Sequence, residues 1–220
     1  MELVLAVASI ALGYLSGSVS FSIVVTRMVR GEDIRKMGNK NAGTANVGRI
    51  LGSGWGAVVF LGDVGKAVVP MAVARALFPD SGVWHQLVVT LAGVGAIIGH
   101  QRPLYFGFSG GSGIATTFGC VGFVAPVELF ISMLAGFVVV QIFVRATEYR
   151  YGRWTSGAIL LLIPLIVALS AITLDLRIFE LVDVGGYYWY EVSSVFVFVA
   201  VAIVSNFALF SNYLRKLSSE

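Results

Sequence analysis

Charged side chains are scarce in this chain: they make up 12% of its 220 residues, whereas a soluble domain carries roughly a quarter. So few charges cannot cover a globular protein of this size, and 57% of the residues are hydrophobic. The surplus apolar surface is expected to face lipid. The net charge of +3 fits basic loops beside anionic lipid better than nucleic-acid binding.

Cysteine is also nearly missing. The single Cys120 excludes a disulfide framework and a cysteine-based metal cluster, and we expect it to pack inside a helix. Internal repeats are absent, and no glycine-rich turn has the Gly-Lys-Ser/Thr ending of a Walker loop. The sequence predicts a single domain over residues 1–220, with no metal and no cofactor.

Long uncharged runs are present instead, at residues 3–26, 155–174 and 192–214. About 20 residues of helix cross a hydrocarbon core, and continuous rather than alternating hydrophobicity favours helices over barrel strands. The sequence predicts an all-α polytopic membrane protein of about seven helices. The segments are Leu3–Val25, Gly54–Val73, Val83–Gly99, Ile114–Ala125, Val127–Val144, Thr155–Ile172 and Val192–Phe210. The fourth is short, and Pro126 separates it from the fifth.

The basic residues of the loops set the orientation. They are concentrated after segments one, three and five and in the tail, whereas the other loops are poorer in them. The positive-inside rule then places the N-terminus outside and the C-terminus in the cytoplasm. This arrangement requires an odd number of crossings, which agrees with seven.

The loop after segment one contains a run of small, amide and basic residues from Asp33 to Arg49, which we call the first motif. Glycine and asparagine allow turns whose backbone N–H groups bind anions, and Lys40 and Arg49 add positive charge. A basic loop that touches lipid headgroups fits the composition equally well.

The loop after segment three forms the second motif, Gly99–Thr117. Its Gly-Ser turn leads directly into segment four, and a helix N-terminus favours phosphate, although a flexible connector has the same composition. His100 lies at the cytoplasmic interface, and no aspartate follows it in a His-x4-Asp pattern. The other histidine, His85, is expected at the outer interface.

Two further groups of polar residues stand out. Asp63 and Lys66 are three residues apart in segment two and therefore share a helical face. Charges in a membrane helix usually pair or line a cavity, and we expect a structural ion pair, with ligand binding as the alternative. In the tail, Asn212 and Arg215 lie on the cytoplasmic side, which brings three separate polar stretches to one membrane face and favours a composite site there.

Taken in order, these stretches resemble the acyl-phosphate:glycerol-3-phosphate acyltransferases of bacteria. Residues 13–21 are similar to that family's first helix, and the first motif to its first cytoplasmic motif. Asp63 and Lys66 match the Asp-x-x-Lys of its second helix. The second motif and the pair Asn212 and Arg215 match its remaining signatures, so the resemblance spans nearly the whole chain.

The resemblance implies an enzyme of the plasma membrane whose active site faces the cytoplasm. It would transfer an acyl group from acyl phosphate to the sn-1 hydroxyl of glycerol 3-phosphate, giving lysophosphatidic acid and phosphate. Membrane lipid, both substrates and an enzyme that forms acyl phosphate are the implied partners. The implied catalytic residues are His100, Asn212 and Arg49. The implied substrate- and phosphate-binding residues are Gly38, Asn39, Lys40, Asn41, Gly43, Asn46, Ser109, Gly110, Gly111, Ser112, Gly113, Thr116 and Arg215.

The chain departs from the family pattern in both motifs. Asn39 and Lys40 replace Ser-Gly in the first motif, where Ala42, Thr44 and Ala45 differ as well. Ser109 and Ser112 replace the two lysines of Lys-Gly-Gly-Lys-Gly in the second. Two alternatives therefore stay open: a relative with another acceptor or an inactive lipid-binding role, and a transporter of small anions.

Overall fold

The computed structural model describes residues 2–78, 83–143, 148–173 and 192–204. All regular structure within these ranges is helical, which confirms the predicted class. The α-helices are α1 (Glu2–Gly17), α2 (Phe21–Arg30), α3 (Thr44–Leu51), α4 (Ser53–Leu77), α5 (Val83–Gln101), α6 (Ile114–Val124), α7 (Pro126–Phe143), α8 (Glu148–Thr173) and α9 (Val192–Val204). Single 3-10 turns lie at Ile34–Lys36 and Leu104–Phe106.

Three apolar spans in the described part of the chain are long enough to cross a membrane: Glu2–Arg30, Ser53–Leu77 and Val83–Phe106. Helix α6 has 11 residues and is therefore about 17 Å long, against a hydrocarbon core of about 30 Å. The prediction of a short fourth segment is confirmed. Most of α6 is buried among its neighbours, as a short helix at membrane depth requires.

The structure differs from the sequence prediction in two places near the site. The first apolar segment is divided between α1 and α2 by residues 18–20, where the Ser18 hydroxyl donates to the carbonyl of Tyr14 at 2.7 Å. Serine side chains compete in this way for backbone groups, although hydropathy continues unbroken. In addition, the first motif is not all loop, because α3 begins at Thr44 and includes the motif's last residues.

Helices α1 and α5 pack backbone against backbone. A Cβ atom at Gly13 or Gly17 would overlap the backbone of α5, and one at Gly95 or Gly99 would overlap α1. Higher numbers on one helix meet higher numbers on the other, so the two helices run in the same direction. Small residues spaced four apart allow this close approach in membranes.

Two buried clusters complete the fold. The larger one joins α4, α5, α6, α8 and α9 and includes Cys120, which is buried as expected. The smaller one joins Ile34, Ala42 and Val47 to α2 and α4, and it fixes the first motif to the end of the helix bundle. Long aliphatic side chains such as Leu3, Leu61 and Leu161 are exposed on the helices, as a lipid-facing surface requires.

Candidate active site

The first motif folds around the side chain of Asn46, which is buried. Its amide nitrogen donates to the carbonyls of Met37 and Asn41, each at 3.0 Å, and its amide oxygen accepts from the backbone N–H of Asn39 at 3.2 Å. A Cβ atom at Gly38 would collide with that oxygen. Asn46 was predicted to bind phosphate, but this geometry favours a role in holding the loop in shape.

The second motif folds onto the first through its glycines. A Cβ atom at Gly111 would overlap the carbonyl of Ala42 and the Nε2 edge of the His100 ring, and one at Gly110 would overlap the carbonyl of His100. Gly113 ends the turn with φ 79°, a conformation that glycine adopts without strain. Gly110 and Gly111 are thus required by close contacts with backbone carbonyls and the His100 ring, and Gly113 by its backbone conformation.

Arg35 joins the two motifs, although the sequence did not single it out. One guanidinium nitrogen, Nη1, donates to the carbonyls of Phe106 at 2.7 Å and Ser109 at 2.9 Å. The Nε and Nη2 atoms bind both carboxylate oxygens of Asp33, at 3.0 and 2.8 Å. The only signal in the sequence is the short spacing of Asp33 and Arg35, which says nothing about a partner some 70 residues away.

This ion pair lies outside the membrane spans, and its charges are mutually stabilised. The hydrogen bonds from Arg35 hold the pKa of the Asp33 carboxyl well below its usual range, against the opposing effect of partial burial. The Asp33 carboxylate in turn raises the pKa of Arg35. Arg27 binds the same carboxylate at 2.8 Å, from a more exposed position. Arg35 and Asp33, which together form a clamp between the motifs, are therefore both charged throughout the physiological pH range.

The loop of each motif leads into the N-terminus of a helix. Helix α3 begins after Gly43 and α6 after Gly113, and neither has a side-chain cap. The Oγ1 atoms of Thr44 and Thr116 are buried and form no hydrogen bond with the described residues. Uncapped first-turn N–H groups and spare hydroxyls favour an anion. Since the motifs touch, the arrangement can hold phosphate groups near each other.

A buried charged cluster lies directly behind the second motif. Lys66 Nζ is 2.8 Å from Asp63 Oδ1, which confirms the predicted ion pair. The cluster also includes His100, whose Nδ1 is 2.7 Å from Lys66 Nζ and 3.4 Å from Asp63 Oδ1. This contact could not be predicted from helix periodicity, because it joins two helices.

The structure brings many of the predicted site residues to one end of the bundle. The first motif contacts the second at Gly111 and Ser109. The first contains Gly38, Asn39, Lys40, Asn41, Gly43 and Asn46, and the second contains His100, Ser109, Gly110, Gly111, Ser112, Gly113 and Thr116. Arg49 is exposed on α3, and His85 contacts the Phe78 carbonyl at the other end of α5. Asn212 and Arg215 lie outside the described residues.

An apolar groove runs between α1 and α4 below this end of the bundle. It has a volume of about 330 Å³ and is lined by Leu12, Leu15, Ser16, Val69, Pro70, Val73 and Tyr105. Several of these side chains are also exposed at the surface of the bundle, so the groove is open along its length. Tyr105 connects it to the second motif.

The fold and the site together define an integral membrane protein that can gather anionic groups at one end of a helical bundle. The profile of the glycerol-3-phosphate acyltransferase family matches residues 7–217. The glycerol-3-phosphate acyltransferase of Halalkalibacterium halodurans is 35% identical over 205 residues, which cover 93% of this chain and 88% of that protein. The enzyme of the same name from Shouchella clausii is 41% identical over 143 residues, 65% of this chain and 66% of that protein.

Solved structures agree with this relationship. The crystal structure of PlsY (YgiH), an integral membrane glycerol 3-phosphate acyltransferase, in its glycerol 3-phosphate form is 26% identical to this chain, with a TM-score of 0.71. The match covers 96% of this chain and 92% of that one. Its lysophosphatidic acid form gives a TM-score of 0.65. The chain belongs to the glycerol-3-phosphate acyltransferase family and is a membrane acyltransferase of phospholipid synthesis.

Proposed function

We propose that the protein transfers a fatty acyl group from acyl phosphate to the sn-1 hydroxyl of glycerol 3-phosphate. The hydroxyl oxygen attacks the acyl carbonyl carbon, the bond to the phosphate oxygen breaks, and the hydroxyl proton ends on inorganic phosphate. The products are lysophosphatidic acid and phosphate. An acyl phosphate is already activated, so positioning and stabilisation of negative charge supply much of the acceleration.

The observation that carries this proposal is the contact between the two motifs. Gly111 lies against the carbonyl of Ala42. The two loops that lead into α3 and α6 are therefore neighbours. Both substrates carry a phosphate, and each needs a separate group of donors. Two uncapped helix N-termini that follow contacting loops supply such groups, and a single phosphate would not require both.

In this proposal Asn41, Gly43 and Arg49 bind the phosphate of one substrate, and Gly110, Gly111 and Gly113 bind the other. Asn39, Lys40 and Thr116 border these positions. His100 and Asn212 orient or polarise the acceptor or the acyl carbonyl. Support for the role of His100 comes from its ring, whose Nε2 edge faces Gly111 where the motifs meet.

The groove between α1 and α4 is the proposed place of the acyl chain. Its apolar lining and open side suit a chain that enters from lipid, and Tyr105 lies four residues before Ser109 in the second motif. A chain in the groove would therefore place its activated head at the glycines.

The topology proposed from the sequence accommodates this site. Seven crossings put the N-terminus outside, and both motifs, with Asn212 and Arg215, on the cytoplasmic side of the plasma membrane. Soluble glycerol 3-phosphate is then accessible, and an enzyme that forms acyl phosphate can supply the donor from the same side. Cysteine-accessibility labelling at Lys36 and Trp84 tests this: only the second should react from outside intact cells.

The central experiment is an acyl-transfer assay with purified protein, acyl phosphate and glycerol 3-phosphate. We expect lysophosphatidic acid and one phosphate per acyl group transferred. Glycerol and dihydroxyacetone phosphate serve as alternative acceptors, and a family member with both lysines in the second motif serves as the working control. If folded protein forms no acyl product with any acceptor while the control does, the proposed reaction is wrong.

Ser109 and Ser112 favour a second candidate, an acyltransferase for a less anionic acceptor. They stand where the family pattern has lysines, and the Ser109 carbonyl is already bound by Arg35. Under this hypothesis Ser109→Lys with Ser112→Lys lowers the KM for glycerol 3-phosphate by at least tenfold, and another acceptor is preferred by the unmodified chain. An unchanged KM in the double variant would remove the reason for this candidate.

A further inference from the structure

The ammonium group of Lys66 is the centre of the buried cluster behind the second motif. Three acceptors surround its Nζ atom: His100 Nδ1 at 2.7 Å, Asp63 Oδ1 at 2.8 Å and the carbonyl of Val19 at 3.0 Å. A lysine ammonium has three N–H donors and no acceptor, so it donates to His100 and Val19 and forms an ion pair with Asp63. The side chains of Lys66 and Asp63 are only 2% and 1% exposed, and water does not compete for these contacts.

The contact with Lys66 determines which nitrogen of His100 carries the proton. Because the ammonium can only donate, Nδ1 must accept, and the proton of the neutral ring is then on Nε2. We infer that Lys66 is a positioning residue that fixes His100 as the Nε2–H tautomer, with this donor facing the place where the two motifs meet. This inference rests on the proposed function, since it makes His100 a hydrogen-bond donor to a substrate oxygen.

The other edge of the ring lies at the site. A Cβ atom on Gly111 would contact both His100 Nε2 and the carbonyl of Ala42, so Nε2 faces the junction of the motifs. The contacts of the ring with Lys66 and Asp63 are both made at Nδ1. A proton on Nε2 is therefore available to a phosphate or acyl oxygen, whereas a lone pair there would repel the same oxygen.

Lys66 reverses the tautomer of His100 that Asp63 alone would favour. The carboxylate oxygen is 3.4 Å from Nδ1, and a carboxylate beside an imidazole nitrogen accepts a proton from it. A direct Asp63–His100 pair would thus place the proton on Nδ1 and leave Nε2 as an acceptor. With the Lys66 ammonium in contact with both groups, 2.8 Å from Oδ1 and 2.7 Å from Nδ1, the carboxylate binds the ammonium and the ring becomes a donor at Nε2. A purely structural ion pair within α4 would not require contact with His100.

The tautomer can be read directly by ¹⁵N NMR of histidine-labelled protein, because the chain has two histidines. A His85→Gln background leaves a single ring, and His85 lies at the opposite end of α5 from the site. We expect a protonated Nε2 and an unprotonated Nδ1 in this background, and a protonated Nδ1 after Lys66→Met. A ring protonated on Nδ1 before the substitution, or the same tautomer after it, would overturn the inference.

The kcat of Lys66 variants provides a second test of the positioning role. Lys66→Met should lower kcat by about a hundredfold, within the usual contribution of a positioned proton donor, with a smaller change in the KM for glycerol 3-phosphate. In a His100→Gln background, where an amide N–H replaces Nε2–H and no tautomer exists, the same substitution should change kcat less than threefold. An equal loss in both backgrounds would show that Lys66 acts through folding alone.

The double variant Asp63→Leu with Lys66→Met covers the case in which the single variant does not fold. It removes both buried charges, and replacing a buried ion pair by apolar groups is often tolerated. We expect a mixture of tautomers and a kcat between those of Lys66→Met and the unmodified protein. A pure Nε2–H ring with full kcat would refute the role of Lys66. The NMR reading does not depend on the substrate, so failure of the proposed reaction is recognised separately, by absence of acyl product from the unmodified protein.

Discussion

Replacement of Arg35 by lysine tests whether the two motifs must be held together for substrate binding. Lysine retains the charge beside Asp33, but its compact ammonium cannot replace a guanidinium that binds a carboxylate with two nitrogens and two carbonyls with a third. The bonds at risk are those to Phe106 and Ser109, at 2.7 and 2.9 Å. Arg35→Lys should therefore release the second motif while leaving the first folded.

The size of the effect follows from these two bonds. A hydrogen bond from a charged group contributes about 1.5–3 kcal/mol, and we take about 1 kcal/mol for each because the Arg35 side chain is 24% exposed. The total of about 2 kcal/mol corresponds to about thirtyfold in affinity. We expect the KM for glycerol 3-phosphate to rise by this factor in the acyl-transfer assay, with thermal stability in detergent reduced only slightly.

Arg27→Lys is the matched control. Arg27 binds the same Asp33 carboxylate, but its side chain is 51% exposed, and exposed ion pairs contribute about 0–1 kcal/mol. The KM should change less than about fivefold. If Arg35→Lys and Arg27→Lys have the same KM, the hydrogen bonds between the motifs do not support binding, and the reasoning from the clamp fails.

Three further predictions concern the same end of the molecule. The pKa of Asp33 is lowered on folding, so its carboxylate stabilises the fold fully above its unfolded pKa of about 4, and this contribution is lost as the pH falls below it. Asp33→Asn should thus have a lower melting temperature at neutral pH but a smaller loss on acidification. Gly111→Ala should reduce acyl transfer at least tenfold, because its Cβ would overlap the first motif and the histidine ring, whereas Gly65→Ala, whose Cβ meets nothing within 4 Å, should retain activity. Val73→Trp should narrow the groove and shift the preference to shorter acyl chains in a competition assay, and Leu61→Trp, on the exposed side of the same helix, should not.

The helices could be predicted from the sequence because their signal is local. Long apolar segments indicate α1, α4 and α5, and Pro126 marks the boundary between α6 and α7, where the structure has it. The break at residues 18–20 was missed because serine continues an apolar run without a charge. Helix α3 was missed because its composition is that of a polar turn, and its stability comes from Val47 packing into the smaller cluster.

The site was predictable only as far as neighbours in sequence determine it. The Asp63–Lys66 pair follows from a spacing of three on a helix. The contacts of Lys66 with His100, and of Arg35 with Ser109, depend on how helices pack, and no periodicity encodes them. Asn46 was predicted from the sequence to bind phosphate, and its interaction with its own loop became visible only from the fold.

The glycine contact between α1 and α5 has a consequence for how substrates reach the site. Helices whose main chains touch cannot separate without losing van der Waals contacts along their whole length. His100, at the end of α5, therefore has a fixed position. The opposite wall is formed by the first motif, which is held by the smaller cluster and by side-chain hydrogen bonds. Any adjustment of the site to glycerol 3-phosphate or to the lipid product is therefore expected from the first motif rather than from the histidine.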